Sequence, residues 1–126
     1  MIPEWIASPV REFGRTAGLP DLALDDRGVA AISFETGMTL RFEFAGDFLA
    51  IAATVPAGGS TATVRAILSY AHPGAQGRFP VRCARRAKTN RAIFAILLPA
   101  RSVTTESVSA AFAELWRIAT EFGGTR

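Results

Sequence analysis

The spacing of apolar residues at the start of the chain predicts a helix over residues 3–17. Four apolar residues recur there at intervals of four, three and four, which places them on one helical face: Ile6, Val10, Phe13 and Ala17. Gly18 suits the left-handed position that commonly follows a helix, and Pro20 prevents continuation. Pro9 should either kink this helix or start it, with Ser8 as the N-cap.

The next segments alternate between apolar and polar residues with the period of two that is typical of β-strands. Strands are expected over three segments: residues 29–34, 39–44 and 48–55. The third segment is apolar on both sides, which predicts that both of its faces are covered. The short glycine-containing connections between the segments are typical of hairpin turns, so we expect an antiparallel meander.

A second helix and two further strands are expected next. Ser60 or Thr61 should cap this helix, and Pro73 with Gly74 should end it. Its apolar face contains four residues: Val64, Ile67, Leu68 and Ala71. The two strands, joined by a turn at residues 88–90, are expected over residues 79–85 and 91–98.

A last helix should begin near Thr104 or Thr105 and end at Gly123 and Gly124. It carries a long apolar stripe: Val108, Phe112, Leu115, Ala119 and Phe122. The resulting order is α-β-β-β-α-β-β-α. Helices that interrupt an antiparallel sheet make an α+β fold, so we expect a twisted antiparallel sheet packed by helices in a single domain over residues 1–126.

Composition suggests that some apolar surface serves another chain. The hydrophobic content is 49% and the mean hydropathy is +0.23, which are high for a domain of 126 residues. One five-stranded sheet cannot take up three apolar helical stripes without crowding, so the surplus favours a dimer with grooves for an extended peptide. Cys83 is the only cysteine, and no secretory signal or long apolar span is visible, so we expect a protein of a reducing cytoplasm.

The sequence contains little that would support a catalytic role. His72 is the only histidine, and no nucleophile motif accompanies it or Cys83. One histidine and one cysteine cannot supply the ligands of a zinc site, and the loop at residues 56–61 lacks the lysine and glycine spacing of a phosphate-binding loop. The interpretation is a binding protein without cofactor or metal, and not an enzyme.

The sharpest polar feature is a basic stretch within residues 78–91, which contains six cations and no acid: Arg78, Arg82, Arg85, Arg86, Lys88 and Arg91. Residues 1–63 carry four Lys/Arg and eight Asp/Glu, whereas residues 64–126 carry ten and three. Three interpretations stay open: a solvated hairpin, a surface for an acidic protein partner, or a small nucleic-acid-binding module. The candidate partner surface consists of Arg82, Arg85, Arg86 and Lys88.

The element order and both ends of the chain resemble the class I chaperones of bacterial type III secretion (the CesT/SycN-like family). The beginning contributes Trp5-Ile6, Phe13 and Gly18-Leu19-Pro20, followed by Leu22 and Leu24; the end contributes Arg101-Ser102-Val103-Thr104 and Ala111-Phe112-Ala113-Glu114-Leu115-Trp116. Both ends are similar to the subfamily of SycN, one half of a heterodimeric chaperone for the secretion gatekeeper protein.

The resemblance implies a function and residues for it. Such chaperones form homodimers or heterodimers and bind the N-terminal segment of a secreted protein, here called the cargo, in extended form, which keeps it stable and secretion-competent. By position, the candidate dimer residues are Val64, Ile67 and Leu68. The candidate cargo-binding residues, for which core packing is the alternative, are Ile6, Val10, Phe13, Phe42, Phe44, Leu49 and Ile51.

Overall fold

The computed structural model describes residues 2–71 and 78–125. Its helices and strands follow the predicted order: α1 (Glu4–Thr16), β1 (Val29–Ser33), β2 (Thr39–Ala45), β3 (Phe48–Pro56), α2 (Thr61–Ser69), β4 (Arg82–Arg86), β5 (Arg91–Pro99) and α3 (Thr105–Thr125). Short 3₁₀ turns at Ala87–Thr89 and Ala100–Ser102 follow β4 and β5. The predicted α+β architecture is confirmed.

The five strands form one antiparallel sheet in the order β1-β2-β3-β5-β4. The first three strands make the expected meander. The chain then passes through α2 to the far edge, so β5 returns between β3 and β4. The long central pair of β3 and β5 runs from Phe48 opposite Pro99 to Pro56 opposite Arg91.

The two faces of the sheet differ in burial. On β3, Leu49, Ile51, Ala53 and Val55 are buried, whereas the residues between them are half-buried. The expectation that both faces of this strand are covered is therefore wrong. The second face is apolar because it carries alanines, whose small side chains do not demand a covering helix.

The helices pack on the buried face, where aromatic rings join them to the sheet. Phe13 of α1 lies 6.0 Å from the ring of Phe42 on β2 and 5.1 Å from Phe112 on α3. Phe94 of β5 contacts the rings of Phe122, at 5.6 Å, and Tyr70, at 5.5 Å. Tyr70 follows α2, so all three helices reach the same face, and no helix of the described residues covers the opposite face, here called the open face.

The helix boundaries differ in detail from the expectation. α1 begins at Glu4, so Pro9 lies inside the helix and does not start it. Ser60 caps α2 by accepting a hydrogen bond from the Thr63 amide at 3.1 Å. α3 runs through Gly123, because glycine permits a left-handed stop but does not impose one. The predicted stop of α2 at residues 73–74, and His72, lie outside the described residues.

Candidate protein-binding surfaces

An apolar strip runs along the middle of the open face. In the register of β3 and β5, Ala50 lies opposite Leu97, Ala52 opposite Ala95, and Phe48 is the next residue on this side. We define the apolar strip by six residues: Phe48, Ala50, Ala52, Ile93, Ala95 and Leu97. Five of them are half-buried, and Phe48 is 44% exposed. The strip is two strands wide, roughly 10 Å, which is the width of a single bound segment.

Two arginines border this strip on β4. Arg82 lies opposite Ala95 and Arg86 opposite Arg91, so both side chains are on the open face, as the period of two predicts. We call Arg82 and Arg86 the basic rim. Within residues 2–71 and 78–125, neither has a carboxylate partner. Arg91 is instead used internally, since its guanidinium donates to the carbonyl oxygens of Gly37 and Thr54.

The other predicted cations lie elsewhere. Arg85 is on the helix-packed side of β4, where it donates to the Gly58 carbonyl at 3.0 Å and to Asn90 Oδ1 at 2.8 Å. Lys88 is in the 3₁₀ turn that follows β4. The structure thus separates the four candidates. They do not form one cationic surface, because adjacent residues of a strand point to opposite faces.

Arg78 is also engaged. Its guanidinium donates to both carboxylate oxygens of Glu106, at 2.6 and 2.9 Å, and this pair links the chain before β4 to the start of α3. Hydrogen bonding to Arg78 lowers the pKa of Glu106. A phosphate-binding role for the whole basic stretch therefore loses three of its arginines, Arg78, Arg85 and Arg91, to contacts within the chain.

One edge of the sheet is formed by β1, and β4 forms the other. The Phe34 amide donates to the Met38 carbonyl and the Phe44 amide donates to the Gly28 carbonyl, both at 2.8 Å. Backbone groups of successive residues in a strand point to alternate sides. Even-numbered residues of β1 therefore bond to β2, and odd-numbered residues direct their N–H and C=O groups to the outside.

Within residues 2–71 and 78–125, those outward groups are satisfied only at the beginning of the strand. Val29 donates its amide to Asp25 Oδ1 at 3.0 Å and accepts the Asp25 amide at 2.8 Å. Hydrogen bonds from the Val29 and Arg27 amides lower the pKa of the Asp25 carboxyl. Beyond this point, Ala31 and Ser33 have no backbone hydrogen bond to the described part of the chain on their outer side.

A groove of about 370 Å³ lies beside that unpaired edge, lined by residues 18–23 and 30–32. The loop that forms its outer wall is fixed to α1. The Leu19 amide donates to the Gly14 carbonyl at 2.7 Å, and Leu22 is only 3% exposed. A Cβ on Gly14 would lie 2.7 Å from Leu22, so glycine is required for this close packing. We call the unpaired strand and this groove the edge groove.

A second groove of about 480 Å³ lies at one end of the apolar strip. It is lined by residues 47, 48, 99, 100 and 101 together with Trp5. Trp5 is 56% exposed, so two large aromatic side chains, Trp5 and Phe48, face solvent at the same place. Exposed aromatic residues that lie together commonly mark a protein-binding surface.

The candidate dimer residues of α2 have different environments. Leu68 is 57% exposed and Val64 is half-buried, whereas Ile67 is 1% exposed and packs into the core. Leu68 is thus the residue of this set that can lose most surface to a partner. The dimer role of all three stays a prediction.

Six of the seven candidate cargo-binding residues are in the protein interior, each at most 2% exposed: Ile6, Val10, Phe13, Phe42, Leu49 and Ile51. Phe44 alone is half-buried. Residues closed off from solvent cannot line a surface pocket, so their burial favours core packing, which was the alternative. Cargo contact by these six stays a prediction that would require the core to open.

Reactive and metal-binding chemistry is sparse. Cys83 is half-buried on β4, and burial raises the pKa of its thiol to about 11, which disfavours the reactive thiolate. In the described ranges, no three potential metal ligands lie together. Nor does any helix there combine the length and apolarity that crossing a membrane requires.

Solved structures share this fold. The ExsC–ExsE complex is 23% identical over 89% of this chain and 86% of that chain, with a TM-score of 0.72. The HopA1–SchA chaperone–effector complex is 13% identical over 91% and 90%, with a TM-score of 0.71. The Yersinia pestis type III secretion chaperone SycH, in complex with a stable fragment of YscM2, is 14% identical over 93% and 98%, with a TM-score of 0.71.

The family follows from the sequence match. The chain belongs to the family described as type III secretory system chaperone SycN, which matches residues 5–122. A comparison with curated protein sequences finds no match. The expectation of a type III secretion chaperone is confirmed, and the family is one of chaperones. That this chain is the gatekeeper-specific subunit stays a prediction.

Proposed function

We propose that the protein holds the N-terminal segment of a secreted cargo protein in extended form and keeps it stable and competent for secretion. The edge groove carries this proposal. Unpaired backbone groups at Ala31 and Ser33 can accept an added strand, because an extended segment offers complementary N–H and C=O groups at the same spacing.

Further along its path, the cargo has two apolar surfaces to contact. The apolar strip and the groove at Trp5 and Phe48 present side chains that no element of the described chain covers. Burying apolar side chains of the cargo there contributes roughly 25 cal/mol per Å² of apolar surface, which is opposed by the entropic cost of ordering the cargo. The work is binding alone, without a covalent step, and we place it in the bacterial cytoplasm before the cargo is secreted.

The binding unit we propose is a dimer that meets through α2, either of two copies or with a second chaperone subunit. Leu68, which is exposed, and Val64, which is half-buried, supply the apolar surface for this contact. Two protomers together offer twice the binding surface of one protomer. A single long, extended cargo segment can therefore contact both of them.

Co-expression tests the proposal. The tagged protein is produced with N-terminal fragments of proteins that the host's type III apparatus secretes, and with C-terminal fragments of the same proteins as matched controls. We expect stoichiometric retention of at least one N-terminal fragment through size exclusion and its protection from protease. A monomer that retains none of the N-terminal fragments contradicts the proposal.

A further inference from the structure

The basic rim has a regular geometry along β4. Arg82 and Arg86 lie on the same side of one strand, four residues apart, which corresponds to roughly 13 Å. Ala84 lies between them and pairs with Ile93 of β5. Because Ala84 is exposed and Ile93 is half-buried, the two arginines flank a short apolar surface.

The charge of the rim is not neutralised within the described chain. Five other arginines form ion pairs with glutamates: Arg11, Arg15, Arg41, Arg78 and Arg117. Arg82 and Arg86 have no such partner in residues 2–71 and 78–125. Two unpaired cations beside an apolar surface produce a local positive potential that attracts carboxylates.

An extended segment matches this arrangement in spacing. Residues i, i+2 and i+4 of an extended chain face the same side, and i and i+4 are separated by the same roughly 13 Å as the two arginines. An acidic residue at i and at i+4 would meet Arg82 and Arg86, and an apolar residue at i+2 would lie over Ala84 and Ile93.

We infer that the basic rim and the apolar surface at Ala84 and Ile93 bind a cargo segment of the type Glu-x-apolar-x-Glu, with aspartate allowed in place of glutamate. This rests on the proposed chaperone function and adds the chemistry of the ligand. A second copy of the chain is a poorer occupant. A two-fold contact that places β4 of one copy over β4 of the other would bring the arginines of both copies together, and like charges at an interface are unfavourable.

Short peptides test the inference on the whole protein. Three peptides have serine and threonine at the flanking and x positions and leucine at the centre. They differ only in the two outer residues of the motif: Glu-x-Leu-x-Glu, Gln-x-Leu-x-Gln and Lys-x-Leu-x-Lys. Their Kd is measured at low salt from the amide shifts of Ala84 and Ile93 in the ¹⁵N-labelled protein. We expect the glutamate peptide to bind about tenfold more tightly than the glutamine peptide, because two exposed ion pairs each contribute modestly.

Charge variants make the test specific. In Arg82→Gln/Arg86→Gln the glutamate and glutamine peptides should bind equally, and in Arg82→Glu/Arg86→Glu the lysine peptide should be preferred. The control Arg15→Glu/Arg27→Glu changes the net charge as much as the reversal does, on residues outside the open face, and should leave the glutamate preference within about twofold of wild type.

Two results overturn the inference: no shift at Ala84 and Ile93 with any peptide, or a glutamate preference that persists in Arg82→Gln/Arg86→Gln. The cargo fragment from co-expression separates this failure from that of the proposed function. If wild type and Arg82→Gln/Arg86→Gln retain the fragment with the same Kd, the chaperone function stands and the acidic recognition is wrong.

Discussion

Replacing Phe13 with alanine tests whether the apolar face of α1 is interior packing or a cargo pocket. Phe13 is 2% exposed, and its ring packs between Phe42 on β2 and Phe112 on α3. The substitution removes that ring and leaves a cavity between helix and sheet. We therefore expect a large loss of stability, whereas a pocket residue would chiefly lose affinity for cargo.

The magnitude follows from burial. Substitutions of buried phenylalanine by alanine lower the free energy of unfolding by about 3–5 kcal/mol. Both ring contacts of Phe13 are lost, so we expect about 4 kcal/mol. Since domains are stable by about 5–15 kcal/mol, this is a large fraction of the total. Phe13→Leu fills most of the volume and should cost roughly 1–2 kcal/mol.

The assay is urea unfolding at fixed protein concentration, with Phe48→Ala as the matched control. Phe48 is the same residue type but 44% exposed, so its replacement should cost less than about 1 kcal/mol. If Phe13→Ala costs under about 1 kcal/mol, and yet abolishes retention of the cargo fragment, the placement of this residue in the core is refuted.

The exposed surface of α2 and the thiol of β4 give two further predictions. Leu68→Ser should raise the Kd of the dimer about a hundredfold, because each of the two symmetric copies of Leu68 contributes about tenfold to the affinity. Sedimentation over a concentration series measures this Kd. An unchanged Kd removes α2 from the interface. Cys83, whose pKa is raised by burial to about 11 from 9.0, should be alkylated at pH 8 about a hundredfold more slowly in the folded than in the urea-unfolded protein. Equal rates would show that the folded thiol is not buried.

The buried face of a strand could be predicted only where the residues on its two faces differ clearly in hydropathy. In β2, Arg41 and Glu43 alternate with Leu40 and Phe42, so the buried side was evident from the sequence. In β3 the alternation is between large aliphatic residues and alanine or threonine. Hydropathy hardly separates these two sets, and only side-chain size reveals which face the helices cover.

The candidate site was predictable where it depended on local periodicity. The period of two put Arg82 and Arg86 together, and it also implies that Arg85 faces the other way. Apolar residues of the core and of a binding surface have the same composition, so Phe13 and Ile93 could not be told apart before the helices were placed. The edge groove depends on backbone groups of β1, which no side-chain pattern reveals.

Amide hydrogen exchange of β1 with and without the bound cargo fragment tests the central claim, that a free strand edge receives an extended segment. The account predicts slower exchange at Ala31 and Ser33 on binding, with little change at Ala30 and Ile32, whose amides already bond to β2. A cargo complex in which Ala31 and Ser33 exchange as fast as in the free protein contradicts it.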